Sequence, residues 1–147
     1  MSRITVETAQ YYLRIDELPQ GGDDELQAFI DAAEAFIERK TGHILTPKTK
    51  TYRAEPDGCI RVYDYPINSS LTAYTTYLHP GYLLIEGEES VTLNVGYTDP
   101  ADVPQALLSA AKQMLKVFYY ESETQQNTSL VPMPVKQIID NYKRFVI

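Results

Sequence analysis

The sequence has little of what secreted and membrane proteins depend on. Its 147 residues include one cysteine, so no disulfide can form within the chain and folding does not need an oxidising compartment. It lacks the uninterrupted apolar run of about 18 residues that a membrane-spanning helix requires. The N-terminal stretch carries acidic and polar residues where a secretory signal needs an apolar segment. We therefore expect no membrane association and a protein of a reducing cytoplasm.

Positive charge is also scarce, with 13 Lys and Arg against 20 Asp and Glu and a formal net charge of −7. A protein that gains affinity for nucleic acid by neutralising phosphates needs the opposite balance. An acidic surface nevertheless suits a protein that lets DNA pass without holding it. Tryptophan is absent, while tyrosine occurs 12 times. Tyrosine is common in strands and at protein interfaces, and packing in strands is the simpler interpretation.

Residues that could carry chemistry are few and lack the spacing of known sites. The two histidines, His43 and His79, have no i, i+4 partner or cysteine pair of the kind that metal sites use, and each adjoins a predicted turn. Cys59 has no histidine near it in the sequence, so a buried and inert thiol is the simpler interpretation. The acidic run at positions 23–25 opens a predicted helix, where it complements the helix dipole. We predict no enzymatic activity, no metal site and no cofactor.

Hydrophobic periodicity predicts four helices around one core. The clearest is the second helix, in which apolar residues from Leu26 to Ile37 fall on one face. The third helix has a similar apolar stripe from Leu107 to Phe118. The predicted helices cover about residues 5–14, 23–41, 104–121 and 134–144.

Residues at the ends of these helices are typical of helix caps. Thr5 can accept a hydrogen bond from an amide in the first turn of the first helix. Asp23 or Asp24 can do the same for the second helix, and Asp102 for the third. Gly42 is placed to end the second helix in a left-handed conformation.

Between about residues 48 and 97 the period changes from helical to alternating. Segments such as CIRVYDY and VTLNVGY are rich in β-forming residues, and turn sequences such as EPDG and HPG separate them. About five short antiparallel strands are expected. The predicted fold is mainly α within the α+β class: one domain over residues 1–147, with a four-helix core and a β-rich insertion between helices 2 and 3.

Two groups of residues are candidates for contact with other proteins or other copies of the chain. Two tyrosines end the third helix, and a second group at the C-terminus combines aromatic rings with two cations. The C-terminal group could dock on an acidic or apolar partner, or pack on its own domain, and the residues favour neither alternative. The candidate interface residues are Tyr119, Tyr120, Tyr142, Lys143, Arg144 and Phe145.

Four features follow one another in an informative order. They are YLRID ahead of an acidic connector; an amphipathic helix closed by TG; a strand ending in GY, followed by D-V-P and a helix with a double alanine; and the final PVKQIIDNYK segment. In this order the chain resembles the small head–tail connector, or adaptor, proteins of long-tailed bacteriophages and prophages. The resemblance covers nearly the whole chain.

The resemblance implies a structural virion protein that forms a ring, commonly of twelve copies, below the portal. The ring would dock on the portal protein above and on a stopper or tail-completion protein below, with DNA passing through its lumen without specific binding. A closed ring needs two different faces on each copy, which the long helices and tyrosine-rich strands can supply. The expected location is the head–tail interface of the virion, and the bacterial host cytoplasm before assembly. The alternative is a small non-enzymatic prophage or host binding or regulatory module that acts as a monomer or dimer.

Overall fold

Four α-helices and five strands make up the part of the protein that the structure describes. The structure is a computed structural model, and it describes residues 2–124 and 131–143. All five strands lie between the second and third helices, so the predicted four-helix core with a β-rich insertion is confirmed. The helices are α1 (Val6–Leu13), α2 (Gly22–Thr41), α3 (Gln105–Thr124) and α4 (Met133–Tyr142).

Two of the predicted caps are confirmed. The side chain of Thr5 accepts a hydrogen bond from the amide of Thr8 and so satisfies a free donor in the first turn of α1. Gly42 ends α2 with a left-handed φ of 78°, and its amide donates to the carbonyl oxygen of Glu38. Because glycine has no Cβ, it takes this conformation at little cost, and the chain can turn sharply after the helix.

The other two predicted caps are wrong. α2 follows Gly21, and Asp23 and Asp24 lie inside the first turn, where their carboxylates complement the positive end of the helix dipole. Asp102 is the last residue of a short 3-10 helix whose N-terminal cap is Asp99. Because α3 begins beyond this 3-10 helix, the side chain of Asp102 is not at its cap position.

The β-rich region forms two small antiparallel sheets. Val91, Leu93 and Val95 are buried while the residues between them are exposed, as expected for a strand with one face against a core. The first sheet pairs β1 (Lys48–Arg53) with β5 (Ser90–Val95). The second has the order β2-β4-β3, formed by β2 (Cys59–Val62), β4 (Tyr82–Glu86) and β3 (Thr75–His79).

Buried side chains form two hydrophobic clusters, one in each structural region. The helical cluster contains the apolar stripes predicted for α2 and α3, with smaller contributions from α1 and α4; its members include Leu13, Leu26, Ile30, Ile37, Leu107, Ala111, Met114, Leu115 and Val135. The second cluster lies among the strands and contains Ile44, Ile60, Val62, Leu83, Ile85, Val91, Leu93 and Val95. Within residues 2–124 and 131–143, no helix combines the length and apolar character needed to span a membrane.

The chain leaves β5 through a close backbone contact at Gly96. Its φ is 107°, and a Cβ atom at this position would collide with the carbonyl oxygen of Thr46. Only glycine fits such a conformation and such an approach without strain. The contact brings the segment after β5, which contains Tyr97, against the segment that follows α2, which contains His43.

Candidate functional site

Tyr119 and Tyr120 lie at the end of α3 that is close to the first half of α2. Tyr119 is half-buried and meets the ring of Phe29 edge to face, with 6.0 Å between ring centroids. Tyr120 is 41% exposed. Its hydroxyl donates a long hydrogen bond of 3.5 Å to the carbonyl oxygen of Leu13. Of the two, Tyr120 therefore has more of its surface available for contact with another molecule.

The described part of the C-terminal group lies at the opposite end of α2. Tyr142 is half-buried, and its ring meets the ring of His43 edge to face at 5.7 Å. Lys143 follows α4 and is exposed. Arg144 and Phe145 lie outside the described residues.

The structure does not bring the predicted interface residues into one site. Tyr119 contacts Phe29 in α2, whereas Tyr142 contacts His43, just beyond the end of that helix. At 1.5 Å per residue, Phe29 and the end of α2 are separated by about 18 Å along the helix axis. The two groups therefore do not form one surface.

An aromatic cluster around His43 was not predicted as a site. His43 is buried, and its Nδ1 lies 2.8 Å from the hydroxyl oxygen of Tyr97. The rings of His43 and Tyr97 are nearly parallel, and the ring of Tyr65 meets His43 edge to face at 5.2 Å. In the sequence, His43 adjoins a predicted turn and has no partner at the spacing of a known site. Its partners come from distant segments, so no local signal could have revealed the cluster.

A buried carboxylate holds the N-terminal segment against α2. Oε1 of Glu34 accepts hydrogen bonds from the amides of Arg3 (2.7 Å) and Ile4 (3.3 Å). Burial raises the pKa of Glu34 to about 7, although these two hydrogen bonds act in the opposite direction. The guanidinium of Arg3 donates to the carbonyl oxygens of Leu45 and Tyr97. The N-terminal segment thus connects α2 with both ends of the β-rich region.

A second buried carboxylate of α2 reinforces this junction. Glu38 pairs with Nζ of Lys48 at 3.0 Å, and its Oε2 accepts a hydrogen bond of 3.2 Å from the amide of Leu45. Because both partners lie at the start of the β-rich region, the pair fixes the direction in which the chain leaves α2. Its role is structural, since both carboxylate oxygens of the buried Glu38 already accept hydrogen bonds from partners within the chain.

Asp64, just after β2, forms hydrogen bonds with two side chains of β1. Oδ2 of Asp64 accepts hydrogen bonds from the hydroxyl of Tyr52 at 2.6 Å and from Nζ of Lys50 at 3.1 Å.

Partial burial and the neighbouring carboxylates raise the pKa of the Cys59 thiol, which is the opposite of what a reactive thiolate needs. In the described ranges, no group of three or more His, Cys, Asp and Glu side chains is arranged to hold a metal ion.

No protein-family model and no curated protein matches the chain. Solved structures with the same fold include a chain of the virion of a native gene transfer agent particle, at 14% identity and a TM-score of 0.70, over 97% of this chain and 90% of that chain. They also include a chain from the neck of an empty gene transfer agent particle computed with C6 symmetry, at 16% identity and a TM-score of 0.66, with the same coverage. At these identities the similarity establishes a common fold over nearly the full length of the chains.

Proposed function

We propose that this chain is a head–tail adaptor of a phage-like particle. In this role it forms a ring below the portal, joins the DNA-filled head to the tail and leaves a channel for DNA. It acts by geometry alone, and it needs no reacting group and no cofactor.

The observation that carries the proposal is the fold shared with a chain from the neck of a gene transfer agent particle over 97% of this chain. A neck joins the head of a particle to its tail, which is where an adaptor lies. That structure was computed with C6 symmetry, and a ring of twelve copies obeys such symmetry. The head–tail connector features of the sequence support the same role independently, because they were recognised from residue order and not from the fold.

The charge of the chain supports a passive channel. Each copy carries a formal net charge of −7, so a closed ring of copies presents a strongly acidic wall. A wall that repels phosphates gains no affinity from the release of counterions, and DNA can slide past it. A protein that gripped DNA in transit would need the opposite charge.

Different ends of the helical region would serve different contacts in this assembly. We assign Tyr120, with its exposed ring, to a contact between copies. Lys143, the exposed cation after α4, is assigned to docking on the portal or the tail-completion protein, together with Arg144 and Phe145 beyond the described residues. Tyr119 and Tyr142 support these contacts from half-buried positions.

The proposal is tested by electron microscopy of the purified protein mixed with portal rings encoded in the same genome. We expect an added layer of density on one end of the portal, with the symmetry of a closed ring. A portal from an unrelated phage serves as the control and should remain bare. If the cognate portal also remains bare, and size-exclusion chromatography with light scattering finds this protein only as a monomer or dimer separate from the portal, the adaptor role is wrong.

A further inference from the structure

The outward side of α2 is acidic and lined by small residues. It lies opposite the buried stripe of the helix, and each of its members is exposed. The carboxylate of Asp31 accepts a hydrogen bond from Gln27, and within the described residues neither aspartate of this face forms an ion pair. The alanines give the rest of this face short side chains. The α2 outer face consists of Asp24, Ala28, Asp31, Ala32 and Ala35.

The outward side of α3 has the complementary character. It carries two lysines, an exposed tyrosine and short polar residues, and none of its described side chains is acidic. Among the described side chains of residues 2–121 and 131–143, neither lysine has an ion-pair partner. The α3 outer face consists of Ser109, Lys112, Gln113, Lys116 and Tyr120.

The two outer faces cannot meet within one molecule. α2 and α3 pack against each other, with edge-to-face ring contacts between Phe29 and Tyr119 and between Phe36 and Phe118. Their apolar stripes face the common core, so the polar sides opposite those stripes point away from each other. Only a second molecule can bring an α2 outer face against an α3 outer face.

We propose that the α3 outer face of one copy binds the α2 outer face of the next copy. The two lysines of one face would then lie against the two carboxylates of the other. Copies that each carry a net charge of −7 repel one another, and a contact in which cations meet acids offsets that repulsion locally. The contact between these two faces is of that kind.

One antiparallel register satisfies the charges. Within one copy α2 and α3 are antiparallel, because Phe29 near the start of α2 contacts Tyr119 near the end of α3. If neighbouring copies keep this orientation, Lys112 opposite Asp31 places Lys116 opposite Gln27, about one turn from Asp24, so each lysine lies near a carboxylate.

The same register also accommodates Arg39. This residue lies at the C-terminal end of the outward side of α2, where its guanidinium lies 5.9 Å from the centroid of the Phe36 ring. In the register above it lies opposite Pro104, about two turns from Lys112, so it meets no like charge.

A contact between two different faces is heterologous, and repeated copies of it generate a closed ring or an open filament. The pairing of the faces is argued from this chain alone, whereas closure into a ring rests on the proposed function. A symmetric contact between two identical faces would instead form a closed dimer, to which no further copies could be added through that face.

Cross-linking tests which faces meet. In a Cys59→Ser background, one protein carries Ala32→Cys and another carries Gln113→Cys, and a short bismaleimide is added to each protein and to their mixture. We expect at least about fivefold more cross-linked dimer in the mixture than in either protein alone. Glu88→Cys, in an exposed turn of the β-rich region, replaces Gln113→Cys as the control. A yield in the mixture no higher than that of the control overturns the proposal.

Charge reversal tests the complementarity of the two faces. The double variants Asp24→Lys/Asp31→Lys and Lys112→Glu/Lys116→Glu each place like charges together, so each should self-associate at least about tenfold more weakly than the wild type in sedimentation velocity. An equimolar mixture of the two variants restores opposite charges at every contact and should regain the lost association. If the mixture associates no better than the separate variants, the assigned faces are wrong.

The charge-reversal experiment and the portal experiment can fail independently of each other. A bare portal combined with recovery in the variant mixture rejects the adaptor role and leaves the paired faces standing. A layer on the portal combined with no recovery rejects the paired faces and leaves the adaptor role standing.

Discussion

Nδ1 of His43 lies 2.8 Å from the hydroxyl oxygen of Tyr97, although the two residues are 54 positions apart. His43 follows α2 and Tyr97 follows β5, so this contact joins the two ends of the β-rich region. The amide of Tyr97 also donates to the carbonyl oxygen of Ile44, which adds a backbone hydrogen bond to the same closure. The region is therefore held to the helices at one defined junction.

Removal of the Tyr97 hydroxyl tests the energetic value of this closure. Tyr97→Phe keeps the stacked ring and deletes the hydrogen bond to the buried His43, so we expect the free energy of unfolding to fall by about 1 kcal/mol. Urea denaturation measures this loss. Tyr77→Phe, at a ring that is 49% exposed, is the control and should change stability by less than about 0.5 kcal/mol. Equal effects of the two substitutions would contradict a structural role for the contact.

Glu34 predicts how stability depends on pH. Its pKa is raised from 4.5 to about 7 in the folded protein, so the folded state holds this proton more tightly than the unfolded state. The resulting stabilisation is complete below pH 4.5 and is lost as the pH rises through about 7. A shift of this size corresponds to about 3 kcal/mol.

Glu34→Gln should remove this part of the pH dependence. The amide oxygen can still accept from the amides of Arg3 and Ile4, but the side chain no longer titrates. The difference in unfolding free energy between wild type and variant, measured by urea denaturation at several pH values from 5 to 8, should change by about 2 to 3 kcal/mol in favour of the variant. Glu88→Gln, at an exposed turn, should show no such change. A constant difference for Glu34→Gln would mean that its carboxyl titrates normally.

Gly96→Ala should destabilise the protein more than the same change at another left-handed glycine. Both Gly96 and Gly87 have a positive φ, but only the Cβ added at Gly96 meets backbone, at the carbonyl group of Thr46. We expect Gly87→Ala to cost about 1 kcal/mol and Gly96→Ala at least about 2 kcal/mol more, from strain and steric overlap together. Thermal and urea denaturation of the two variants compare the costs directly. Similar losses of unfolding free energy in the two variants would show that the backbone at Thr46 shifts easily to accommodate the added Cβ.

Leu115 tests the helical core. Its side chain is fully buried in the centre of the α3 stripe, and Leu115→Ala should lower the free energy of unfolding by about 3 kcal/mol through lost burial and the cavity left behind. Leu78→Ala is the matched control, because this leucine is 81% exposed on the edge strand β3 and should lose less than about 0.5 kcal/mol. A small effect at Leu115 would mean that the core is loosely packed around α3.

Features of this fold that arise within one continuous segment can be predicted from the sequence. The stripe from Leu107 to Phe118 predicted α3 because a helix repeats its buried face within one continuous segment. The cap at Asp102 was wrong because Asp99 caps a 3-10 helix first, and α3 begins only beyond it. Two carboxylates, Asp99 and Asp102, lie just before that helix, and propensity alone does not choose between them.

For the candidate contact residues, the sequence indicates which residues could take part, but their exposure depends on the tertiary structure. The sequence indicated Tyr119, Tyr120 and Tyr142 as contact residues. Whether such a ring faces solvent or the protein's own core depends on how its helix is rotated in the bundle. The structure leaves Tyr120 the most exposed of the three, and it places Tyr142 against His43 at the other end of α2.

The sequence by itself determined the order of helices and strands, the residues that line each helical stripe, and the glycine that ends α2. These follow from periodicity and backbone preference, which act over a few neighbouring residues. Only the tertiary structure decided that His43 meets Tyr97, that Glu34 is buried beneath the N-terminal segment, and that the outer faces of α2 and α3 point apart. Each of these depends on the angles at which distant segments pack, and those angles are set by the whole core at once.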